Sequence, residues 1–426
     1  MMVTKKTLII FALSILSLVK SHAIFVDEFL PIQDELSSNN ITSVNVACTI
    51  DIHTQTGTPQ PVFIRPSTSQ FFLPANRDGQ IQLSVNEGIE LWCSGAWTSP
   101  SGAPNSITAT CVSGQTFRYN NANLNFNSFR CQAWPQWTTR RTTTRCFSGG
   151  ILVDVGFQIG TRWLHLYTVC HDLVFETNWY VHYAFSPVSA ANQRNVARPA
   201  WTQTGFYTAS NVNHLYTRPQ HRITIANILG DQAAADRFIE SEPSDFFFAR
   251  GHIAAMTDFI LASQQQATFH FLNAAPQWQT FNGGNWDSVE ISSRRLASDR
   301  GLNLDVYTGT FGITNLWNTA GVRRQIFLDW PAGRIPAPQI YYKILINQAD
   351  LSGVVLIGVN NPWLSQAEIN SLGYVICPDV SSQISYVSWS RTNLQRGFGY
   401  ACEVHEFSRV VPHIDAIRNI RYRLLV

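Results

Sequence analysis

Three consecutive residues near the middle of the chain, Arg250, Gly251 and His252, could supply a base and a cation to one site. The sequence around them predicts a strand from Phe246 to Ile253, and side chains two apart on a strand point to the same face. An imidazole that titrates near neutrality can take a proton from water, and a guanidinium can hold an anion. Glycine between them lets a ligand approach that face closely. A purely structural histidine is the alternative interpretation.

A second group of polar residues follows at a defined spacing. Asn282 lies nine residues after Asn273, and Glu290 lies eight residues after Asn282. A helix predicted from about Trp286 to Arg300 puts Glu290 and Arg294 on one face, because residues four apart on a helix are neighbours. An amide oxygen is a ligand that Mg²⁺ accepts readily. Taken alone, the segment also fits an ordinary amphipathic helix with a Glu–Arg pair.

Together these residues resemble the motif of the DNA/RNA non-specific endonucleases, a family with a ββα-metal active site. The motif has Arg-Gly-His on a strand, then Asn-x-x-Pro-Gln, a metal-binding Asn, a Glu and an Arg. The sequence matches it in register at 250–252, Asn273, 276–277, Asn282, Glu290 and Arg294. The wider chain is similar to secreted insect nucleases that degrade double-stranded RNA, through segments such as 247–252, 273–286 and 358–362.

The resemblance implies hydrolysis of phosphodiester bonds in DNA and RNA, double-stranded RNA included. His252 would be the general base that activates water, and Asn273 is counted with the catalytic set. Asn282 would be the protein ligand of Mg²⁺, or of Mn²⁺ in its place, and Glu290 would orient the water on that ion. Departure of the 3′ oxygen would leave 5′-phosphates. Because such a site contacts the nucleic-acid backbone and the metal, weak sequence preference is expected.

The resemblance also implies phosphate contacts, and here the chain departs from the family in two ways. Arg250 and Arg294 would hold the scissile phosphate. Ala249 stands where the family has Asp, which removes a carboxylate near the base. The family's additional upstream arginine has no matching motif, and Arg218 and Arg222 are the candidates.

The first 23 residues predict a secretory signal peptide. Lys5 and Lys6 precede an apolar stretch from Leu8 to Val19, and Ser21-His22-Ala23 is a small-x-small cleavage site. This stretch is shorter than the roughly 20 residues that a membrane-spanning helix needs. We therefore expect a secreted, extracellular protein without a membrane segment, in the gut lumen if the likeness to gut nucleases extends to location.

Charge and cysteine content are consistent with export. The chain has 30 basic and 28 acidic residues, so an anionic substrate must be held by local arginines or a metal. Lys343 is the one lysine after residue 23, and arginine keeps its charge in alkaline surroundings. An alkaline working environment and compositional drift explain this equally well.

Eight cysteines predict disulfides, with Cys377 and Cys402 as a late pair and the pairing of the earlier six left open.

The pattern of elements predicts an α+β fold with two parts. Short alternating apolar runs broken by turn residues indicate a small disulfide-bonded all-β module over 24–150. Mixed strands and helices over 151–426 indicate the ββα-metal nuclease domain. The elements predicted there, besides those named above, are a helix from Ile223 to Ile239, strands at Ala267 to Asn273, Leu304 to Tyr307, Ile340 to Ile346 and Val354 to Val359, and a helix from Ser365 to Leu372.

Two other functions remain open on the sequence alone. One is a nuclease fold that only binds nucleic acid, and the other is a secreted β-rich carbohydrate-binding protein. The intact set of His252, Asn282 and Glu290 favours an active enzyme over the first, and the second leaves the motif spacing unexplained. The run from Trp134 to Arg145 mixes aromatics and arginines as a nucleic-acid groove does, although a polar hairpin is the plainer interpretation. The sequence does not indicate an oligomeric state.

Overall fold

The computed structural model describes residues 46–208 and 211–426, which belong to one compact unit, Asn45–Val426. The predicted signal peptide, residues 1–23, lies outside the described residues. The strands of the described part are β1 (Val46–Asp51), β2 (Val62–Ile64), β3 (Gln80–Ser84), β4 (Gly88–Trp92), β5 (Trp97–Ser99), β6 (Ser106–Ser113), β7 (Thr116–Tyr119), β8 (Ala122–Asn125), β9 (Arg130–Cys131), β10 (Thr138–Arg145), β11 (Ile151–Ile159), β12 (Arg162–Asp172), β13 (Thr177–Phe185), β14 (Phe248–His252), β15 (Ala274–Trp278), β16 (Leu304–Phe311), β17 (Asn315–Trp317), β18 (Arg323–Gln325), β19 (Phe327–Asp329), β20 (Arg334–Pro336), β21 (Ile340–Asn347), β22 (Ser352–Val359), β23 (Gly399–Cys402) and β24 (Arg423–Leu424).

The helices are short, apart from two that flank the candidate site in sequence. Over the described ranges, none is long and apolar enough to cross a membrane. A π-helical segment, Asn282–Trp286, leads directly into the longest helix. The α-helices are α1 (Val212–Leu215), α2 (Arg218–Leu229), α3 (Gln232–Phe238), α4 (Ala262–Gln266), α5 (Gln279–Phe281), α6 (Asp287–Arg300), α7 (Gln366–Ser371) and α8 (Val404–Ser408).

A nine-stranded, mostly antiparallel sheet forms the centre of the molecule, in the order β10-β11-β12-β13-β16-β21-β22-β23, with β24 added parallel to β22. Every residue of β21 and β22 is buried, which explains their continuous apolar sequences. Alternate residues serve the two faces: Tyr341 and Leu345 belong to one apolar core, and Tyr342 and Ile344 to another. The sheet is therefore covered on both sides.

The ββα unit lies on one of these faces. Strands β14 and β15 pair antiparallel, with Arg250 opposite Pro276 and His252 opposite Ala274, and α6 follows after the π segment. The Tyr341 hydroxyl donates a hydrogen bond to the Ala275 carbonyl at 2.9 Å, which fixes the hairpin to β21. The fold class predicted from the sequence, α+β with a ββα unit, is confirmed.

The amino-terminal β-rich region contains a five-stranded sheet, β2-β4-β6-β7-β8, and two smaller two-stranded sheets. Two disulfides lie within this region, and a third, Cys146–Cys170, joins the chain before residue 150 to the chain after it. Strand β10 precedes residue 150 and is the edge strand of the large sheet, paired with β11. The division into 24–150 and 151–426 stays a prediction. The disulfides are Cys48–Cys111, Cys93–Cys131, Cys146–Cys170 and Cys377–Cys402, so the predicted late pair is confirmed.

Two predicted elements are wrong. The helix expected from Ile223 to Ile239 is two helices, because Gly230 adopts a left-handed conformation that ends α2, and the Asp231 side chain then caps α3. The segment expected as a strand, Ala267 to Asn273, consists of a turn followed by a short 3₁₀ helix at Phe271–Asn273. There the Thr268 hydroxyl donates to the Gln265 carbonyl, and such side chain to backbone bonds compete with strand pairing.

Candidate active site

Strand β14 presents Arg250 and His252 to one pocket, as the two-residue period requires. The pocket has a volume of about 200 Å³, and Asn282 lines it as well. Gly251 lies between Arg250 and His252, against the side chain of Gln277. A Cβ atom at this position would overlap that side chain. The sequence-predicted base, one predicted arginine and the predicted metal ligand are thus brought together. The other lining residues are Arg198, Trp201, Tyr216, Phe247, Phe248, Ala249, Phe269 and Gln279.

The His252 imidazole is held by two aromatic rings and one hydroxyl. Its ring centroid lies 4.7 Å from that of Trp201 and 4.8 Å from that of Phe269. Its Nε2 lies 3.2 Å from the Oγ1 of Thr268. That hydroxyl gives its only proton to the Gln265 carbonyl at 2.7 Å, so it accepts from the imidazole. His252 therefore carries its proton on Nε2 and has a lone pair on Nδ1.

Burial, and to a lesser extent the nearby Arg198, lower the pKa of His252 to about 3, while Asp258 acts in the opposite direction. Desolvation disfavours the charged imidazolium, and so does a neighbouring cation. The ring is therefore neutral at physiological pH, which a base must be. Its pKa lies well below the near-neutral value expected from the sequence.

Asn282 is the first residue of the π segment, immediately after α5. Its Nδ2 donates a hydrogen bond to Gln279 Oε1 at 3.2 Å. No described residue donates to its Oδ1, so this amide oxygen remains available to a ligand. Within the described ranges, no group of three or more His, Cys, Asp or Glu side chains is arranged to hold a metal ion.

Two arginines bring positive charge to the pocket. Arg250 donates from Nη2 to the Asn213 carbonyl at 3.2 Å and lies 5.7 Å from the centroid of the Tyr216 ring. Arg198 is exposed and comes from the segment before α1. Both guanidinium groups line the same space as His252, so an anion bound there would meet two cations.

Asn273 is fully buried and does not line the pocket. Its Oδ1 accepts from the Ala254 backbone N–H at 2.8 Å. Its Nδ2 donates to the carbonyls of Ala254 at 2.9 Å and Thr268 at 3.1 Å. The carboxamide thus holds together the segment that follows His252 and the segment that carries Thr268. These bonds position the two segments beside the pocket, and a direct catalytic role for Asn273 stays a prediction.

Arg294 and Glu290 do not line the pocket either. Arg294 is buried, and its Nη1 lies 2.8 Å from Asp258 Oδ1, while Lys343 Nζ lies 2.7 Å from Asp258 Oδ2 and also donates to the Tyr183 hydroxyl. Burial, together with the Asp258 carboxylate, raises the pKa of Glu290 to about 8. We call Asp258, Arg294, Lys343 and Tyr183 the buried charge cluster; Glu290 is only partly buried and interacts with Asp258 electrostatically.

Several residues of the site carry no sequence motif. Arg198 and Trp201 lie in a stretch rich in Asn, Gln and Pro, without periodicity, and only the Arg-Pro-Ala-Trp composition hints at a site. Of the upstream candidates, Arg218 stacks on Phe247 at 4.0 Å and Arg222 donates to the Ile239 carbonyl; neither lines the pocket, and their role as phosphate contacts stays a prediction.

Comparisons with known proteins found salivary proteins and one solved structure that are similar to this chain. A salivary endonuclease of Lutzomyia longipalpis is 25% identical over 380 residues, which cover 87% of this chain and 85% of that protein. The salivary protein Tsal1 of Glossina morsitans morsitans is 25% identical over 404 residues, covering 89% and 95%. A chain in the crystal structure of the EndoG/EndoGI complex matches with a TM-score of 0.32 and 19% identity, over 53% of this chain and 85% of that chain. That TM-score is too low to support structural equivalence.

The family match covers both the site and the sheet beneath it. The sequence profile of the DNA/RNA non-specific endonucleases matches residues 148–407, which is more than half of the chain. This range contains β14, β15 and α6 together with the pocket that they form. The protein therefore belongs to the DNA/RNA non-specific endonuclease family.

Proposed function

We propose that the protein is a secreted, metal-dependent endonuclease that hydrolyses phosphodiester bonds of DNA and RNA, double-stranded RNA included, and leaves 5′-phosphates. The observation that supports this most is the meeting of His252, Arg250 and Asn282 in one pocket. A base, a cation and an amide oxygen in one space are what hydrolysis of a phosphodiester requires. Carbohydrate binding does not require a base in the site.

His252 acts as the general base through Nδ1. Its Nε2 proton is committed to Thr268, so Nδ1 is the atom that accepts the proton of the attacking water. The low pKa of His252 makes the free imidazole a weak base. A bound phosphate adds negative charge beside the ring, which favours the imidazolium and moves the pKa back towards neutrality.

Arg250 and Arg198 hold the phosphate and neutralise the charge that develops on it. A guanidinium is suited to this because its planar donors match phosphate oxygens. Arg198 is exposed and Arg250 bonds to the neutral groups of Asn213, so neither guanidinium is committed to a described carboxylate. These groups and Asn282 contact the backbone of a nucleic acid and no base edges, so weak sequence preference follows.

Asn282 fits a hard divalent cation. Its Oδ1 is an uncharged oxygen ligand that no described residue engages, and Mg²⁺ is satisfied by few protein ligands when it keeps several waters. Mg²⁺, or Mn²⁺ in its place, would supply Lewis-acid stabilisation of the phosphate and the leaving oxygen. The role of Glu290 in orienting water stays a prediction. With its pKa raised to about 8, its carboxyl group is mostly protonated at neutral pH and can donate as well as accept a hydrogen bond.

Secretion and substrate range rest on the sequence and on the relatives. Four disulfides are typical of exported proteins, and two of the relatives are salivary proteins by name. The activity on double-stranded RNA is proposed from the resemblance to the insect nucleases. An active enzyme is favoured over a binding protein because His252 and Asn282 are both present.

The test uses purified full-length protein with plasmid DNA and long double-stranded RNA as substrates. Each is incubated with Mg²⁺, with Mn²⁺, with Ca²⁺ and with EDTA, and the ends of the products are analysed. We expect degradation of both substrates with Mg²⁺ or Mn²⁺, none in EDTA, and 5′-phosphate ends. Binding without degradation under all conditions would indicate a non-catalytic protein. Degradation that persists in EDTA would exclude the metal-dependent mechanism.

A further inference from the structure

A second depression adjoins the candidate active site. It has a volume of about 270 Å³ and is lined by Asp245, Gln279, Thr280, Gly283, Asn393, Gln395 and Arg396. Gln279 lines both spaces, and Gly283 directly follows Asn282 in the chain. The two depressions therefore lie side by side across the segment from Gln279 to Gly283.

The far wall of the second depression is a loop, Ser390–Gly397, that is attached to the active-site segment. Asn285, in the π segment, donates to the carbonyls of Gly397 at 2.6 Å and Ser390 at 2.9 Å, and accepts from the Ser390 N–H at 2.8 Å. Gly284 packs so closely on this loop that a Cβ there would lie 2.8 Å from the Arg396 carbonyl. The loop therefore has a fixed position relative to Asn282.

The loop carries groups suited to a nucleic-acid backbone. Arg396 is exposed and makes no ion pair with any described carboxylate, and the exposed Asn393 and Gln395 add amide donors and acceptors. Asp245 is the one acidic residue that lines the depression, on the wall that precedes β14. A phosphate bound there would thus lie on the Arg396 side, away from Asp245.

We propose that the loop Ser390–Gly397 is a second subsite, in which Arg396 binds a phosphate of the nucleotide strand next to the one cleaved beside His252. This inference rests on the proposed function and extends it, because it makes the enzyme prefer polynucleotides to short substrates. The chemistry recognised is the phosphodiester backbone, so the subsite adds affinity without adding sequence preference.

The experiment measures equilibrium binding of a fluorescein-labelled single-stranded 12-mer in EDTA by anisotropy, at several salt concentrations. We expect Arg396→Gln to weaken binding about tenfold, as for loss of one charge-assisted contact. It should also reduce the slope of log affinity against log salt by about one, because one phosphate contact is lost. Arg324→Gln removes an exposed arginine that lines neither depression and should change neither quantity.

A second variant tests the sign of the charge effect. Asp245→Asn removes a repulsive carboxylate and should tighten binding of the 12-mer, by roughly twofold at low salt. Binding by Arg396→Gln within twofold of the wild type, or weaker binding by Asp245→Asn, would overturn the subsite. Because binding is measured without metal, these outcomes are independent of catalysis. The proposed function fails separately, if the wild type cleaves nothing with any divalent ion.

Discussion

The Thr268 hydroxyl lies 3.2 Å from His252 Nε2, and it determines which nitrogen of the imidazole is basic. Because Thr268 donates to the Gln265 carbonyl at 2.7 Å, it offers His252 only a lone pair. The imidazole must then carry its proton on Nε2. If His252 is the general base, as proposed above, Thr268 is the residue that positions it.

Replacing Thr268 tests this arrangement. Thr268→Val keeps the shape of the side chain but removes the acceptor, so the Nδ1–H tautomer becomes accessible and kcat should fall by about tenfold or more. Thr268→Ser keeps the hydroxyl and should retain most of kcat. The readout is kcat and KM on plasmid DNA with Mg²⁺. If Thr268 had only a structural role, kcat would fall equally in both variants, in step with the fall in their thermal unfolding midpoints.

His252→Gln should lower kcat by about 10²- to 10⁴-fold, the usual contribution of a general base. Gln is preferred to Ala because the ring packs between Trp201 and Phe269, and a smaller residue would leave a cavity. His405→Gln, in α8 and outside the pocket, serves as the matched control. Retention of more than about a tenth of the wild-type kcat would mean that another group activates the water.

The buried charge cluster should be essential for stability. Asp258→Asn leaves Arg294 and Lys343 buried without their carboxylate, and breaking such a pair costs about 3–5 kcal/mol. Asp415→Asn breaks the exposed Arg418 pair and should cost less than about 1 kcal/mol. Urea denaturation measures both free energies of unfolding. Equal, small losses would mean that the cluster is not a stabilising element.

The sequence was most informative where residues follow a clear period or match a motif. The apolar runs of β21 and β22 and the face of α6 were predicted within a few residues, since burial on both sides of a sheet or along one side of a helix leaves a clear pattern. The same holds for His252 and Arg250, whose shared face follows from the strand period alone.

The sequence was least informative where side chains bond to the backbone or meet from distant segments. Residues 267–273 are rich in apolar residues and were predicted as a strand, but Thr268 and His270 bond to nearby backbone groups and form turns. Arg198 reaches the pocket from an irregular segment, which no period could indicate. The partners of Asp258 come from α6 and β21, and only the folded chain brings them together.

Acid should destabilise the protein steeply because several histidines are buried in the neutral form. Burial lowers the pKa of His221, His270 and His413 to about 3, below their ordinary value of 6.5. The unfolded chain therefore binds more protons below pH 6.5, so the stability present above that pH is lost as the pH falls towards 3. Each histidine contributes about 1.4 kcal/mol per pH unit of this loss.

Urea denaturation from about pH 7 to pH 5 measures that slope. His221→Gln should make it shallower by about 1 kcal/mol per pH unit over this range, because one proton-binding difference is removed. His214→Gln replaces an exposed histidine and should leave the slope unchanged. A free energy of unfolding that stays constant down to pH 5 would contradict the buried, neutral state of these side chains.

Asn282 should control the response to metal. Asn282→Ala removes the available Oδ1, so the Mg²⁺ concentration for half-maximal hydrolysis should rise by at least about tenfold and kcat should fall with it. Asn282→Asp supplies a carboxylate oxygen at the same place and should restore metal binding, because Mg²⁺ binds carboxylate oxygens as well as neutral oxygen ligands. Asn370→Ala, an exposed amide on α7, is the control. Activity is followed by plasmid nicking across a Mg²⁺ titration, and metal affinity by isothermal calorimetry of the same variants. An Asn282→Ala protein with the wild-type Mg²⁺ response in both measurements would show that the ion is held elsewhere.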